Sequence, residues 1–230
     1  TIAGLFAIGE IPTGSADPFA LRRSAIGIIN IIRNNAWKFN LSEAIETSLY
    51  EYIKDLGLTF NHEEVIQNVR DFFFGRIKTM LQEEGIRYDI IDAVLIPESE
   101  IQDIFAKAIE LNQWFNEDRS KFVDAYNRIN NLTKNVDFTE VNEELLKEDE
   151  EKNLYNKFIE INEKFNDSLS SENYREAMNV LNELVPSIDA FFDNVMVMAE
   201  DEKIRQNRLA LINSIEENIQ KILKIENIVE

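Results

Sequence analysis

Basic side chains are scarce in this chain, and one group of them falls within a single predicted helical stretch. The group consists of Arg119, Lys121, Arg128 and Lys134, with Asn127, Asn130 and Asn131 between them. Arginine and lysine can bind phosphate, and asparagine can hydrogen-bond to base edges. The stretch has a formal charge of zero because it also contains Glu117, Asp118, Asp124 and Asp137. The spacing therefore favours two interpretations equally, an RNA-contacting surface and an ordinary solvated helix face.

No residue pattern indicates catalysis or a bound metal. His62 is the only histidine and cysteine is absent, so the usual zinc ligands are missing. The sequence has no phosphate-binding glycine loop, no nucleophile motif and no acid/base carboxylate spacing. Aromatic neighbours such as Phe191 and Phe192 could stack on unpaired bases, but helical spacing favours burial. We expect a non-catalytic chain that holds no cofactor and no metal.

The composition restricts the possible partners and the compartment. With 24 basic and 43 acidic side chains, the formal charge is 24 − 43 = −19, which repels polyanions and by itself argues against RNA. The absence of cysteine is compatible with a reducing cytosol. No run of about 18 uncharged apolar residues exists. We therefore expect a cytoplasmic protein with neither a membrane nor DNA as a partner.

The elements that must position the basic group are predicted to be helices. Only 7 glycines and 4 prolines occur, and apolar residues recur at helical spacing along most of the chain, so we expect an all-α helical bundle. One helix should begin after Asn61 and stop at Gly85. Another should be capped by Ser42 and carry Tyr52 and Ile53 on its apolar stripe. The opening residues have the pattern of a helix that lacks its own N-terminal cap, so we expect the chain to be a fragment.

Four blocks of sequence resemble one family in the same order. The opening GLFAIGEIPTGSADPFALRR resembles the end of the HD-like domain in bacterial glycyl-tRNA synthetase β subunits, whose signature is P-T-G-S-x-D-P-F-A-L-R-R. GIRYDIIDAVL, AYNRINNLTKN and FFDNVMVMAEDEKIRQNRLALI resemble later blocks of that family. The resemblance implies a C-terminal fragment of the subunit. Its expected parts are the tail of the HD-like domain at 1–36, a connecting helical region at 37–98, and a DALR-type anticodon-binding domain at 99–230.

The resemblance also suggests which residues contact RNA. Arg128, Asn131 and Lys134 keep the family's residues, whereas Asn127 replaces a common lysine. In the last block Met196 matches the family pattern and is expected to pack against other side chains. Arg205, Asn207 and Arg208 are expected to serve either ion pairing and capping or RNA contact. With the basic group above, the complete set of expected tRNA-binding residues is Arg119, Lys121, Arg128, Asn131, Lys134, Arg205, Asn207 and Arg208.

The family implies a role in binding and not in bond making. We expect this chain to bind the anticodon of tRNA-Gly within an α₂β₂ glycine–tRNA ligase, whose α subunit uses ATP for aminoacylation. The alternative is a non-catalytic helical scaffold for contact between α and β subunits. It is suggested by the acidic surface and by NYREAMNVLNEL at 173–184, which is similar to one helix of a tetratricopeptide repeat.

Overall fold

The structure is a computed structural model that describes residues 1–57 and 59–229, except for the side chains of residues 51–56. Within those ranges no strand occurs, and only isolated bridges pair extended backbone. The expected all-α class is therefore confirmed. The described α-helices are α1 (Ile2–Ala7), α2 (Leu21–Asn34), α3 (Leu41–Leu56), α4 (His62–Glu83), α5 (Tyr88–Val94), α6 (Ile101–Trp114), α7 (Ser120–Thr133), α8 (Asp149–Ser170), α9 (Tyr174–Asn182), α10 (Val185–Asn194) and α11 (Glu202–Gln220).

Local signals in the sequence determine both ends of α4. The Asn61 side chain accepts a hydrogen bond from the Glu64 backbone N–H at 3.3 Å, which satisfies one of the first free donors of the helix. After Glu83 the chain turns at Gly85, whose φ of +81° is favourable only for glycine. The predicted helix between Asn61 and Gly85 is confirmed.

The predicted cap of α3 is wrong by two residues. The helix begins at Leu41, and the Asn40 side chain accepts from the Glu43 N–H at 3.0 Å. Ser42 lies inside the helix and donates its hydroxyl to the Pro97 carbonyl at 3.2 Å. Asparagine caps as well as serine does, and the serine has a tertiary acceptor instead. Tyr52 and Ile53 lie outside the described side chains.

The chain divides into two compact units, 1–108 and 109–230. Their boundary falls within α6, whereas the predicted boundary at residue 99 precedes that helix and stays a prediction. In the first unit, α4 packs against α1, α2, α3 and α5. Its core contains fully buried aliphatic side chains, including Leu21, Ile29, Leu49, Ile77 and Leu81. No helix in the described ranges is sufficiently long and apolar to cross a bilayer.

In the second unit, α7 packs against α10 and α11, while α8 packs against α9, α10 and α11. A row of buried aromatic rings fixes α7. The ring centroids of Trp114 and Phe122 lie 5.0 Å apart, and those of Phe122 and Tyr126 lie 4.3 Å apart. The Tyr126 hydroxyl donates to the Leu181 carbonyl at 2.9 Å, and the Trp114 indole N–H donates to Asn179 at 2.9 Å. These contacts hold the opposite face of α7 at the surface.

Candidate nucleic-acid interface

Three of the expected RNA-binding residues share the exposed face of α7. Lys121, Arg128 and Asn131 are separated by seven and three residues, which is the spacing of one helix face. Lys121 and Asn131 are exposed, and Arg128 is half-buried. Lys134 follows at the exposed end of the helix. In the described part of the chain, the side chains of Lys121, Asn131 and Lys134 have neither a hydrogen-bond partner nor an ion-pair partner.

Arg128 is part of a surface cluster with α10, which we call the Arg128 cluster and which consists of Arg128, Asp189, Phe192 and Asp193. The guanidinium carbon lies 4.5 Å from the centroid of the Phe192 ring. One terminal nitrogen lies 3.5 Å from an Asp189 oxygen, and the other lies 3.4 Å from an Asp193 oxygen. Charge-assisted hydrogen bonds are usually about 2.7–2.9 Å long. These exposed ion pairs are therefore loose.

Arg119 is held more tightly, at the start of α7. Its guanidinium carbon lies 4.2 Å from the ring centroid of Trp114, and its Nε donates to the Trp114 carbonyl at 3.3 Å. A terminal nitrogen pairs with Glu117 at 2.6 Å. The stacking and the pairing fix the guanidinium against unit 2, so its charge is already balanced.

A cavity of about 290 Å³ lies beside Lys121, between the starts of α7 and α10. Its lining includes Arg119, Asn182 and Pro186. Asp118 also lines it, and the backbone N–H and hydroxyl of Ser120 lower the pKa of that carboxyl, with a smaller contribution from Lys121. The cavity therefore combines the exposed ammonium group of Lys121 with a carboxylate that stays ionised at neutral pH.

The three expected residues on α11 have internal partners. Asn207 is buried, and its carboxamide accepts from the Asn142 N–H at 2.7 Å and donates to the Asn142 carbonyl at 3.1 Å. Arg208 is buried too, and its Nε donates to the buried carboxylate of Glu151. In this arrangement both side chains bind protein groups instead of facing solvent.

Arg208 and Arg205 also hold the segment 195–199, which we call the methionine segment. Arg208 donates to the Met196 carbonyl at 2.8 Å, and Arg205 donates to the Ala199 carbonyl at 3.2 Å. The prediction that Met196 packs in the interior is wrong, because its side chain is 75% exposed. The segment begins in extended conformation with Val195 and Val197 buried, so alternate side chains, Met196 and Met198, face outward.

Sequence reasoning missed the two aspartates that join Arg128. Asp189 and Asp193 are four residues apart on α10, with Phe192 on the same face, and this spacing is visible in the sequence. Their partner is more than 60 residues away along the chain, and no local pattern links the two helices. Across the described residues, no group of three or more acidic or histidine side chains is arranged to hold a metal ion.

Two protein-family models match separate parts of the chain. Residues 1–96 match the model described as glycyl-tRNA synthetase beta subunit, and residues 123–229 match the model described as DALR anticodon binding domain. The α7 face from Arg128 onward, the Arg128 cluster and the methionine segment all fall within the second match.

Relatives cover the whole of this chain and only part of their own length. The glycine–tRNA ligase beta subunit of Clostridioides difficile is 39% identical across 100% of this chain and 33% of its own length. Those of Syntrophomonas wolfei and Geobacter sp. are 34% and 38% identical, across 99% and 94% of this chain. The chain thus spans about a third of the length of these relatives. The two models and the relatives agree, and the chain belongs to the glycyl-tRNA synthetase β subunit family.

Proposed function

We propose that this chain binds the anticodon region of tRNA-Gly, as the RNA-reading part of a glycine–tRNA ligase β subunit. The observation that carries the proposal is a set of exposed polar side chains without protein partners, Lys121 and Asn131 on α7 and Lys134 at its end. Asn131 and Lys134 lie within the region that matches a DALR anticodon binding domain. Unpaired surface cations bind phosphates, and unpaired carboxamides bind base edges.

The net charge of −19 is compatible with this role because electrostatic interactions are screened over about 8 Å at physiological salt. Lys121 and Lys134 are 13 positions apart along α7, which corresponds to roughly 20 Å at 1.5 Å per residue. This distance along the helix axis corresponds to several nucleotides of a single strand.

The eight expected residues separate into two roles in this proposal. Lys121, Arg128, Asn131 and Lys134 contact RNA directly from α7. In this proposal the other four bind neighbouring protein groups and hold those segments in place: Arg119, Arg205, Asn207 and Arg208. Their side chains are occupied by Trp114, Glu117, the methionine segment, Asn142 and Glu151.

The chemistry of aminoacylation is assigned to other parts of the enzyme. In this proposal an α subunit uses ATP to activate and transfer glycine within an α₂β₂ assembly in the cytoplasm. The present chain then contributes binding energy and specificity to the reaction. Residues 99–230 form the anticodon-binding domain, residues 1–36 the end of an HD-like domain, and residues 37–98 the connection between them.

A second role is favoured by exposed apolar side chains in the first unit. Ile31 and Trp37, on and just after α2, are both more than half exposed. Large exposed apolar side chains can take part in contact with another protein. We propose that this surface packs against other parts of the synthetase, and binding to an isolated α subunit tests that role independently of RNA.

The RNA-binding role is tested with the 230-residue chain and a fluorescent anticodon stem–loop of tRNA-Gly at low salt. We expect Lys121→Ala and Lys134→Ala each to weaken binding several-fold, because each removes a phosphate contact. Lys164→Ala is the control for net charge, since it removes one positive charge from α8, where Lys164 pairs with Glu176 at 2.9 Å. Equal weakening by all three variants would contradict a specific α7 surface.

A further inference from the structure

The Arg128 cluster offers both donors and acceptors at one exposed place in the second unit. Asp193 is its most exposed member, with 69% of the side chain accessible, and its carboxylate accepts hydrogen bonds only. Arg128 supplies donors only, and Phe192 lies beneath the guanidinium. The two charges are held at 3.4 Å, so either can exchange its partner for a ligand at little cost.

The bases that a glycine-specific reader must identify follow from the genetic code. All glycine codons begin with two guanines, so the second and third anticodon bases of every glycine tRNA are cytosines. The pairing edge of cytosine has two acceptors, N3 and O2, beside one donor, the N4 amino group. A reader therefore needs a donor and a carboxylate side by side, and a carboxylate that accepts from cytosine N4 is a known pairing.

We propose that the Arg128 cluster reads one of these two cytosines, an inference that rests on the proposed function. Asp193 accepts from the N4 amino group, and Arg128 donates to N3 or O2. Asp189 and Phe192 hold the guanidinium plane while the Asp193 ion pair opens. Met196, three residues after Asp193 along the chain, is an apolar side chain that is 75% exposed. In this account Asp193 is the specificity-determining residue, and Asp189 is a positioning residue that acts through Arg128.

Uracil is the discriminating competitor because it has the size of cytosine and the reverse pattern at two of three positions. It has an acceptor, O4, where cytosine has the amino group, and a donor at N3. The Asp193 carboxylate repels O4, whereas a carboxamide can turn its NH₂ toward that atom. Asp193→Asn should therefore change the preference between the two bases without removing the surface itself.

The experiment measures binding of the 230-residue chain to three anticodon stem–loops: one with both cytosines and two with a single cytosine-to-uracil change. We expect one of the two changes to weaken binding of the unsubstituted protein by about tenfold. Asp193→Asn should reduce that ratio to about one. Asp167→Asn is the matched control, because it makes the same change of charge at an exposed position on α8 and should keep the ratio.

The results separate the cytosine-reading inference from the proposed RNA-binding function. Cytosine preference that is lost in Asp193→Asn and kept in Asp167→Asn supports the inference. Equal affinity for all three stem–loops, or a preference that Asp193→Asn retains, overturns the inference and leaves RNA binding standing. Failure of the unsubstituted chain to bind any stem–loop at low salt overturns the proposed function, and the inference with it. Circular dichroism of each variant verifies that the exposed substitutions leave the fold intact.

Discussion

Removing the Arg208 side chain should unfold the second unit at a much lower denaturant concentration. Arg208 and Glu151 are both buried, and Arg208 also donates to the Met196 carbonyl. Arg208→Ala leaves an uncompensated buried carboxylate, which typically costs about 3–5 kcal/mol. The free energy of unfolding of an average domain is about 5–15 kcal/mol, so the loss is a large fraction of the total.

The remaining partners of the Glu151 carboxylate do not replace Arg208. The second oxygen of Glu151 accepts from the backbone N–H groups of Lys147 and Glu148 at 2.6 and 3.3 Å, which places the charge at the start of α8. Without Arg208 the carboxylate keeps only these two donors. The double variant Glu151→Gln/Arg208→Met removes both charges and should lose less stability than Arg208→Ala alone.

Urea unfolding followed by circular dichroism measures the effect, with Arg128→Ala as the comparison. Arg128 makes loose, exposed ion pairs and a surface contact with the Phe192 ring, so its substitution should change the free energy of unfolding by no more than about 1 kcal/mol. RNA affinity should show the opposite order, with Arg128→Ala causing the larger direct loss under conditions where both proteins are folded. If Arg208→Ala kept full stability and lost RNA binding, Arg208 would be a contact residue and the positioning role would be refuted.

Three further predictions concern other parts of the chain. Asn61→Ala should lower the free energy of unfolding of the first unit by about 1 kcal/mol, because it removes the cap of α4. Thermal or urea unfolding measures this change, and a loss below a few tenths of a kcal/mol would contradict the capping role. Burial raises the pKa of Glu216 to about 7, and one of its oxygens has no hydrogen-bond partner in the described structure. The unfolded state loses this proton near the ordinary value of 4.5 while the folded state keeps it, so the stability from Glu216 is full below pH 4.5 and is lost as the pH rises through 7. Glu216→Gln should thus be more stable than the unsubstituted chain by about 1–3 kcal/mol at pH 8 and show little gain at pH 4.5, and a gain independent of pH would refute the assignment. Affinity for RNA falls as salt rises, and Lys121→Ala and Lys134→Ala should each make the slope of log affinity against log salt less steep by about one. An unchanged slope would exclude a phosphate contact.

Local signals made parts of the fold predictable from sequence. The asparagine before α4 and the glycine after it act on their own neighbouring backbone, so the limits of that helix follow from the order of residues. The start of α3 was predicted wrongly at Ser42, because serine is a good cap and the sequence does not show that its hydroxyl has a tertiary acceptor, the Pro97 carbonyl. Asn40 is the cap instead.

The candidate site was less predictable because its partners are distant in sequence. Arg208 meets Glu151 across 57 residues, and Arg128 meets Asp193 across 65. Helical periodicity does not distinguish an arginine that pairs internally from one that faces solvent. The methionine segment was misjudged for a related reason: valine and methionine are both apolar, so their alternation does not indicate which side chains face inward.

The most direct test of the central claim is a titration of this chain with intact tRNA-Gly and with the same tRNA carrying a different anticodon, at one fixed low salt concentration. The proposed anticodon-reading role predicts at least about tenfold tighter binding of the native anticodon. Equal affinity for the two tRNAs would contradict it and would leave the chain with phosphate binding or protein contact as its role.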